Sequence, residues 1–334
     1  MNNESKSYRA AVVETWGAPP VITIVDHPME AIPAGHVRVK VASAGASYVD
    51  ALLASGSYQV KPSLPFVPGS EFSGTIVAVG NGVDATRVGQ RVAVSGMGGG
   101  FAQSATVPSN AARPIPTDMP MEVAAVFMVS YGTALYALEQ RGRLKAGETV
   151  LVLGAAGAIG LAAVQIASLL GAHVVAVASS DEKRALALDH GAKAAVDSAG
   201  EWAEAAKQAN GGRGFDVIVD PVGGEMTVAA FRKLAWGGRH LVIGFAAGSI
   251  AALPANLALL KGASLVGVDI RQAYEKDADL SASISDKLFS LYASGRLQPH
   301  ISTRFQLDGA AEALAKVASG AVVGRAIVQP RQSV

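Results

Sequence analysis

The sequence predicts an α/β protein in which a β-rich unit is joined to a doubly wound parallel sheet. Three observations carry this. Up to about residue 125 the chain is a series of short β-type runs broken by Gly and Pro. From about residue 130 strand-like runs alternate with helical stretches. Between Glu148 and Asp181 there is no Asp, Glu, Lys or Arg at all.

The β-type runs of the first part are AAVVET (10–15), HVRVKVASAG (36–45), GTIVAVG (74–80) and QRVAVSG (90–96). Many short strands separated by turns indicate a barrel-like or sandwich-like unit. The charge-free span is long enough to cross a bilayer. It divides, however, into TVLVLG, a Gly/Ala helix containing Gln165, and GAHVVAVASS. That is strand, helix and strand, buried on both faces as at the centre of a parallel sheet, and not a membrane span. A helix from Asp181 to His190, AAVDS (194–198), FDVIVDPVGG (215–224), HLVIGF (240–245) and SLVGVDI (264–270) continue the alternation. Alternating strands and helices imply right-handed crossovers and a parallel sheet. A helix over 281–294, HISTRFQL, a helix near 309–319 and GRAIVQP close the chain. These return to the first unit, so the β-rich domain takes 1–127 with 290–334 and the parallel-sheet domain 128–289.

At 334 residues the chain exceeds the size at which one core keeps growing, which also favours two domains. Half the residues are apolar and the net charge is +1, so neither disorder nor a nucleic-acid footprint is indicated. With no cysteine, disulfides, thiolate catalysis and Cys-ligated zinc are excluded. MNNESKSYRA lacks the apolar core of a signal peptide, and the cytoplasm is the default expectation.

LVLGAAGAIGLAAVQIA (151–167) is a strand, a tight Gly/Ala turn and a helix. Such a turn lets backbone approach a pyrophosphate at a helix N-terminus. Ala155, Gly157 and Gly160 stand in the register of a dinucleotide fingerprint, with Gly154 in front. Ala156, Gly157, Ala158 and Ile159 are therefore candidate cofactor contacts. The next strand ends AVASSDEKR (176–184), where an NAD site usually carries an acid for the ribose hydroxyls. Ser179, Ser180, Lys183 and Arg184 instead suit the 2′-phosphate of NADPH. Asp181 either repels that phosphate or caps and charges the first turn of its helix, and the two cations are either phosphate ligands or solvated helix charges.

With these segments in hand, the chain resembles the medium-chain dehydrogenase/reductase superfamily, in its zinc-free quinone oxidoreductase (ζ-crystallin-like) branch. The resemblance spans nearly the whole chain, through AGASYVDALLASGSY (44–58), VPGSEFSGTIVAVGNGV (67–83), VGQRVAV (88–94), YGTALYAL (131–138), GAAGAIGLAAVQIA (154–167), FDVIVDPVGG (215–224) and GRAIVQP (324–330). It implies a GroES-like catalytic domain beside a Rossmann domain. Zinc-dependent members carry a Cys and a His where this chain has Ser47 and Ser70, and their cysteine-rich lobe has no counterpart in 96–108. No metal is expected, and Glu71 is read as a structural anchor rather than a catalytic group.

Without a metal the favoured acceptors are quinones and activated enones, and a hydroxyl or backbone N–H stabilises the oxygen on which charge develops. By resemblance Ser47, where relatives have Asn, touches the nicotinamide side, and Tyr58 orients or protonates the acceptor. Tyr48 is a further hydroxyl, and each tyrosine is otherwise an ordinary packed aromatic. Thr133, Val222, Gly244, Phe245, Val266, Gly267 and Val268 are implied cofactor contacts. Arg325 is either a cofactor contact or a surface charge. The function implied is an NADPH-dependent, zinc-independent reductase of quinones or enones. The alternatives are an enoyl-thioester reductase and a non-catalytic NADPH-binding protein. SLVGVDI is a candidate sheet-edge strand for a homodimer.

Overall fold

The structure is a computed structural model that describes residues 7–330; the N-terminal stretch read for a leader lies largely outside them. The chain divides into two compact units, Met1–Val129 with Pro299–Val334, and Ser130–Gln298. The first division lies close to residue 127. The second lies nine residues beyond the expected 289, because a helix continues through that point.

In the first unit β1 (Ser7–Val13) pairs antiparallel with β2 (Ile22–Pro28) as a separate ribbon. Then come β3 (His36–Ala46), α1 (Tyr48–Ser55), β4 (Glu71–Val79), β5 (Arg91–Ser95), β6 (Ser104–Pro108), β7 (Ala112–Pro114) and the short α2 (Met121–Ala124). The four anticipated β runs correspond to β1, β3, β4 and β5. β2 and β6 escaped notice because ITIVDHP carries no fully buried position and SATVP is short and ends in Pro. Helix α1 sits between two expected strands and is set by caps rather than by length.

α3 (Met128–Leu135) leads into the second unit and runs on into a π-type turn, Tyr136–Arg141. There follow β8 (Thr149–Leu153), α4 (Ala158–Leu169), β9 (His173–Ala178), α5 (Asp181–Asp189), β10 (Ala194–Asp197), α6 (Trp202–Ala209), β11 (Phe215–Asp220), α7 (Glu225–Phe231), β12 (Leu234–Val242), α8 (Ala255–Lys261), β13 (Ser264–Gly267), α9 (Ile270–Lys276) and α10 (Ala278–Ala293). Every pairing in this sheet is parallel, in the order β10-β9-β8-β11-β12-β13. β8 is buried at every residue, and α4 is buried from Gly160 to Ala167, which accounts for the charge-free span. Leu151, Leu153, Phe215, Ile218 and Phe231 form a core against one face of the sheet.

The chain then returns to the first unit through β14 (Ile301–Gln306), α11 (Ala310–Ala318) and β15 (Arg325–Gln329). β15 lies antiparallel to β3, with Ala326 opposite Ala46, and completes the order β14-β15-β3-β4-β5-β7. Phe72, Ile76 and Phe101 are fully buried in the core beneath it. Each such side chain contributes roughly 2–3 kcal/mol by leaving water. Among the described residues no helix is long and apolar enough to cross a membrane.

Candidate functional site

The strands of the second unit all point one way, so their C-terminal ends share one edge of the sheet. The chain winds from β8 outward to β9 and β10, then reappears on the other side at β11, which makes the end of β8 the switch point where such sheets bind ligands. Gly154 leaves β8 with φ +57°, and α4 starts at Ala158 behind Gly157. Among the described residues no side chain caps this helix. Its first-turn N–H groups lack intrahelical acceptors and carry the positive end of the helix dipole, which fits a pyrophosphate. A Cβ at Gly160 would lie 2.1 Å from the Gly154 carbonyl oxygen, so only glycine lets α4 sit this close to the turn. Ala156 is buried beneath the turn, Gly157 is exposed, and Ala158 and Ile159 are half-buried.

At the end of β9, Ser180 is the N-cap of α5 and its Oγ accepts from the Lys183 N–H at 3.3 Å. Ser179 is exposed, and Lys183 Nζ lies 3.4 Å from its Oγ. Arg184 is half-buried and is engaged by groups of the fold itself. Its guanidinium donates to the Ala178 carbonyl at 3.3 Å, pairs with Asp197 at 3.0 Å and also pairs with Asp181. Arg184 thus ties the ends of β9 and β10 together. Asp181 does not cap α5, and its charge is answered within its own helix. The Ala199 N–H, aided by Arg184, holds the Asp197 carboxyl below the usual range.

The other expected contacts on this edge are Val222, Gly244, Phe245 and Val266 to Val268. A Cβ on Gly154 would meet Val222 Cγ2 at 3.0 Å, and one on Gly223 would meet Phe245 Cδ1 at 3.0 Å. The β8, β11 and β12 turns are therefore in contact. Val242 at the end of β12 pairs with Gly267, which brings Gly244 and Phe245 beside the 266–268 segment. Gly267 has open space around its Cα, and its carbonyl accepts from Arg141 Nε at 3.0 Å. Thr133 is buried on α3, next to Gly132, against which the Ile270 and Tyr274 side chains lie.

The first unit gathers a different set. Ser47 is the N-cap of α1 in a reciprocal capping box with Asp50. Its Oγ accepts from the Asp50 N–H at 3.1 Å and donates to Asp50 Oδ2 at 2.5 Å. The hydroxyl expected to face the nicotinamide therefore has its proton on Asp50. Asp50 is fully buried, and its Oδ1 accepts from the Gly69 and Ser70 N–H groups at 3.1 and 2.7 Å. Burial raises the Asp50 carboxyl above its ordinary value against the hydrogen bonds from Ser47 and Ser70. Sequence reasoning missed Asp50, although Ser47-x-x-Asp50 is the signature of a capped helix start.

At the other end of α1, Gly56 takes the left-handed conformation, and the Ser57 and Tyr58 N–H groups both reach the Leu52 carbonyl, at 2.9 and 3.2 Å. Trp16, also missed, covers Gly56 so closely that a Cβ would lie 2.8 Å from the indole, and Lys61 sits 5.3 Å above the ring. The half-buried Tyr58 is thus held by its backbone, two residues beyond the turn that Trp16 covers. Tyr48 is the first residue of α1 and half-buried.

Glu71 is buried, accepts from the Val129 N–H at 2.8 Å and pairs with Arg325 at 3.0 Å. It caps the start of α3 and binds β15, which is an anchor's role. Arg325 is 6% exposed, which excludes a surface charge. Gly45, opposite Glu71 in the β3–β4 register, leaves the space that the guanidinium occupies. Desolvation pushes the Glu71 carboxyl up to about 7, although Arg325 and the α3 N–H groups pull it down. Among the described residues no three His, Cys, Asp or Glu side chains gather as a metal requires.

Residues 158–284 match the family model of the zinc-binding dehydrogenases, and residues 33–117 match the alcohol dehydrogenase GroES-like domain. The chain is 38% identical to quinone oxidoreductase-like protein 2 of Rattus norvegicus, covering 97% of this chain and 93% of that one. It is 33% identical to the quinone oxidoreductase of the same species, over 94% of each. A mycobacterial structure complexed with NADPH superposes with a TM-score of 0.90 at 30% identity, over 97% of this chain and 100% of that one. With a GroES-like domain, a Rossmann domain and these relatives, the chain is an oxidoreductase, and it belongs to the medium-chain dehydrogenase/reductase superfamily among the quinone oxidoreductase-like proteins.

Proposed function

We propose that the protein is an NADPH-dependent, zinc-independent reductase of quinones or activated enones. The observation that carries this is the uncapped start of α4 at the switch point, with Ser179, Ser180 and Lys183 at the end of the neighbouring strand. The α4 amides would hold the pyrophosphate, and Ser179 and Lys183 the 2′-phosphate, since Arg184 is used within the fold. A bound nicotinamide supplies hydride for reduction of the acceptor. Val222, Phe245 and the 266–268 segment would line the nicotinamide end, with Thr133 beside them. The names of the relatives and the NADPH held by the mycobacterial neighbour support the same reading.

Tyr58 is the proposed acceptor-orienting hydroxyl. Ser47 would act on it through α1, whose N-terminus it caps and whose C-terminal turn holds the Tyr58 backbone. Zinc independence is supported by the donor set, because serines stand at positions 47 and 70 and the Ser47 hydroxyl is engaged with Asp50. A homodimer through β13 is supported by its place at the sheet edge and by exposed apolar side chains around it, Leu265 on the strand and Trp236 and Leu259 nearby. Light scattering that gives a monomer would remove that part.

The test is oxidation of NADPH and of NADH by the purified protein against a simple 1,4-quinone, with a metal chelator present. Chelator-resistant turnover with NADPH preferred is expected. NADPH binding without turnover on quinones or enones would overturn the assignment of the acceptor.

A further inference from the structure

A buried polar cluster lies beneath the β11 turn, and the proposed chemistry makes no use of it. His240, on β12, has no exposed surface, and Asp220 at the end of β11 is 1% exposed. His240 Nε2 donates to Asp220 Oδ2 at 2.9 Å, and Thr227 Oγ1 of α7 donates to the same oxygen at 2.6 Å. The other oxygen, Oδ1, accepts from the Val222 and Gly223 N–H groups at 2.9 and 2.8 Å. Burial alone would raise the Asp220 carboxyl, but the His240 hydrogen bond, the turn N–H groups and Thr227 together leave it below its ordinary value.

The imidazole is otherwise poorly served by its site. It stacks on Phe231 at 5.9 Å, and its Nδ1 is buried without a hydrogen-bond partner among the described residues. A leucine or phenylalanine would fill this apolar space without burying an unsatisfied nitrogen, which is costly. Among the described residues the polar interaction that offsets this cost is the bond to Asp220. Asp220 in turn fixes the turn that follows β11. Val222 bears on Gly154, Gly223 bears on Phe245, and the Ala246 and Ala247 N–H groups bond back to the Pro221 and Val222 carbonyls at 3.2 and 2.8 Å.

We infer that His240 is a positioning residue for dinucleotide binding, which acts through Asp220 to hold the 221–224 turn against the Gly154 turn and Phe245. The inference rests on the proposed nicotinamide dinucleotide site at this edge of the sheet. Removing the Nε2–H leaves the Asp220 carboxylate with one fewer fixed donor. It can then rotate, and the two turn N–H groups it holds move with it.

The experiment is calorimetric titration of NADPH into the full-length wild type and into His240→Leu, His240→Gln and Thr227→Val, with binding stoichiometry and circular dichroism recorded for each. Gln keeps an N–H at about the reach of Nε2, and Leu does not. The expected result is an affinity loss of about tenfold for His240→Leu at unchanged stoichiometry, recovery to within about threefold for His240→Gln, and an intermediate loss for Thr227→Val. A merely structural role would lower the thermal midpoint or the stoichiometry and leave the affinity of the folded fraction unchanged, and that result overturns the inference. Equal losses for Leu and Gln also overturn it. If His240→Leu does not fold, wild-type affinity in Thr227→Val overturns it. No binding of NADPH or NADH to the wild type would overturn the dinucleotide site itself, and the inference with it.

Discussion

The Arg325 guanidinium donates to the Glu71 carboxylate at 3.0 Å across 254 residues of sequence, with both side chains almost wholly buried. The pair joins β15 to β4 across β3, and the same carboxylate accepts from the Val129 N–H at the start of α3. Breaking a buried pair leaves a charge without compensation, which costs about 3–5 kcal/mol. Glu71→Ala and Arg325→Leu should each destabilise the first unit by that amount in urea titrations. The double variant should lose clearly less than the sum. Additive losses would show that the two groups act independently.

Glu71 also predicts a pH dependence. Its carboxyl titrates near 7 in the folded protein against 4.5 ordinarily, with burial as the main cause. Between those values the folded state holds a proton that the unfolded chain has released. Stability therefore falls as pH rises through that window and levels off above it. Asp50, raised by burial as well, adds in the same direction. Thermal midpoints from pH 5 to 8 should show the fall in the wild type and a shallower one in Glu71→Gln. Parallel profiles would assign the dependence to other groups.

Ser47→Ala removes the N-cap of α1 and the hydroxyl donation to Asp50. A lost cap costs about 1 kcal/mol. Chemical denaturation should show a loss of that size or somewhat more, because Asp50 stays buried. Ser47→Thr keeps the hydroxyl and should recover most of it. If Ser47 acts through α1, quinone turnover should follow the same order across the two variants.

The cations of α5 should separate in function. Lys183→Ala should weaken NADPH binding by about tenfold and NADH binding by less than about twofold, since one phosphate partner is lost. Arg184→Ala should leave the NADPH-to-NADH ratio near wild type and lower stability by about 1 kcal/mol, the scale of partly exposed ion pairs. Fluorescence titration with both nucleotides checks the first, and thermal unfolding checks the second. A ratio altered by Arg184→Ala and not by Lys183→Ala would reverse the roles.

The alternation of strand and helix from β8 to β13, the glycine turn before α4 and the end of β9 at Ala178 were legible in the sequence, because each depends on near neighbours. Apolar periodicity, glycine in a tight turn and serine at a helix start act over a few residues. Where the same rules were present but the element was short, as at Ser47-x-x-Asp50, the helix was missed. The inward turn of Arg184 toward Asp197, the hold of Trp16 on Gly56, the burial of Arg325 against Glu71 and the link from His240 through Asp220 to Val222 were decided by the tertiary structure. In each, the partner lies in another element, and a charged or polar side chain looks the same in sequence whether it meets water or a buried counterpart. Packing chooses between those two, because a buried charge or amide must find its partner wherever the fold brings one within reach.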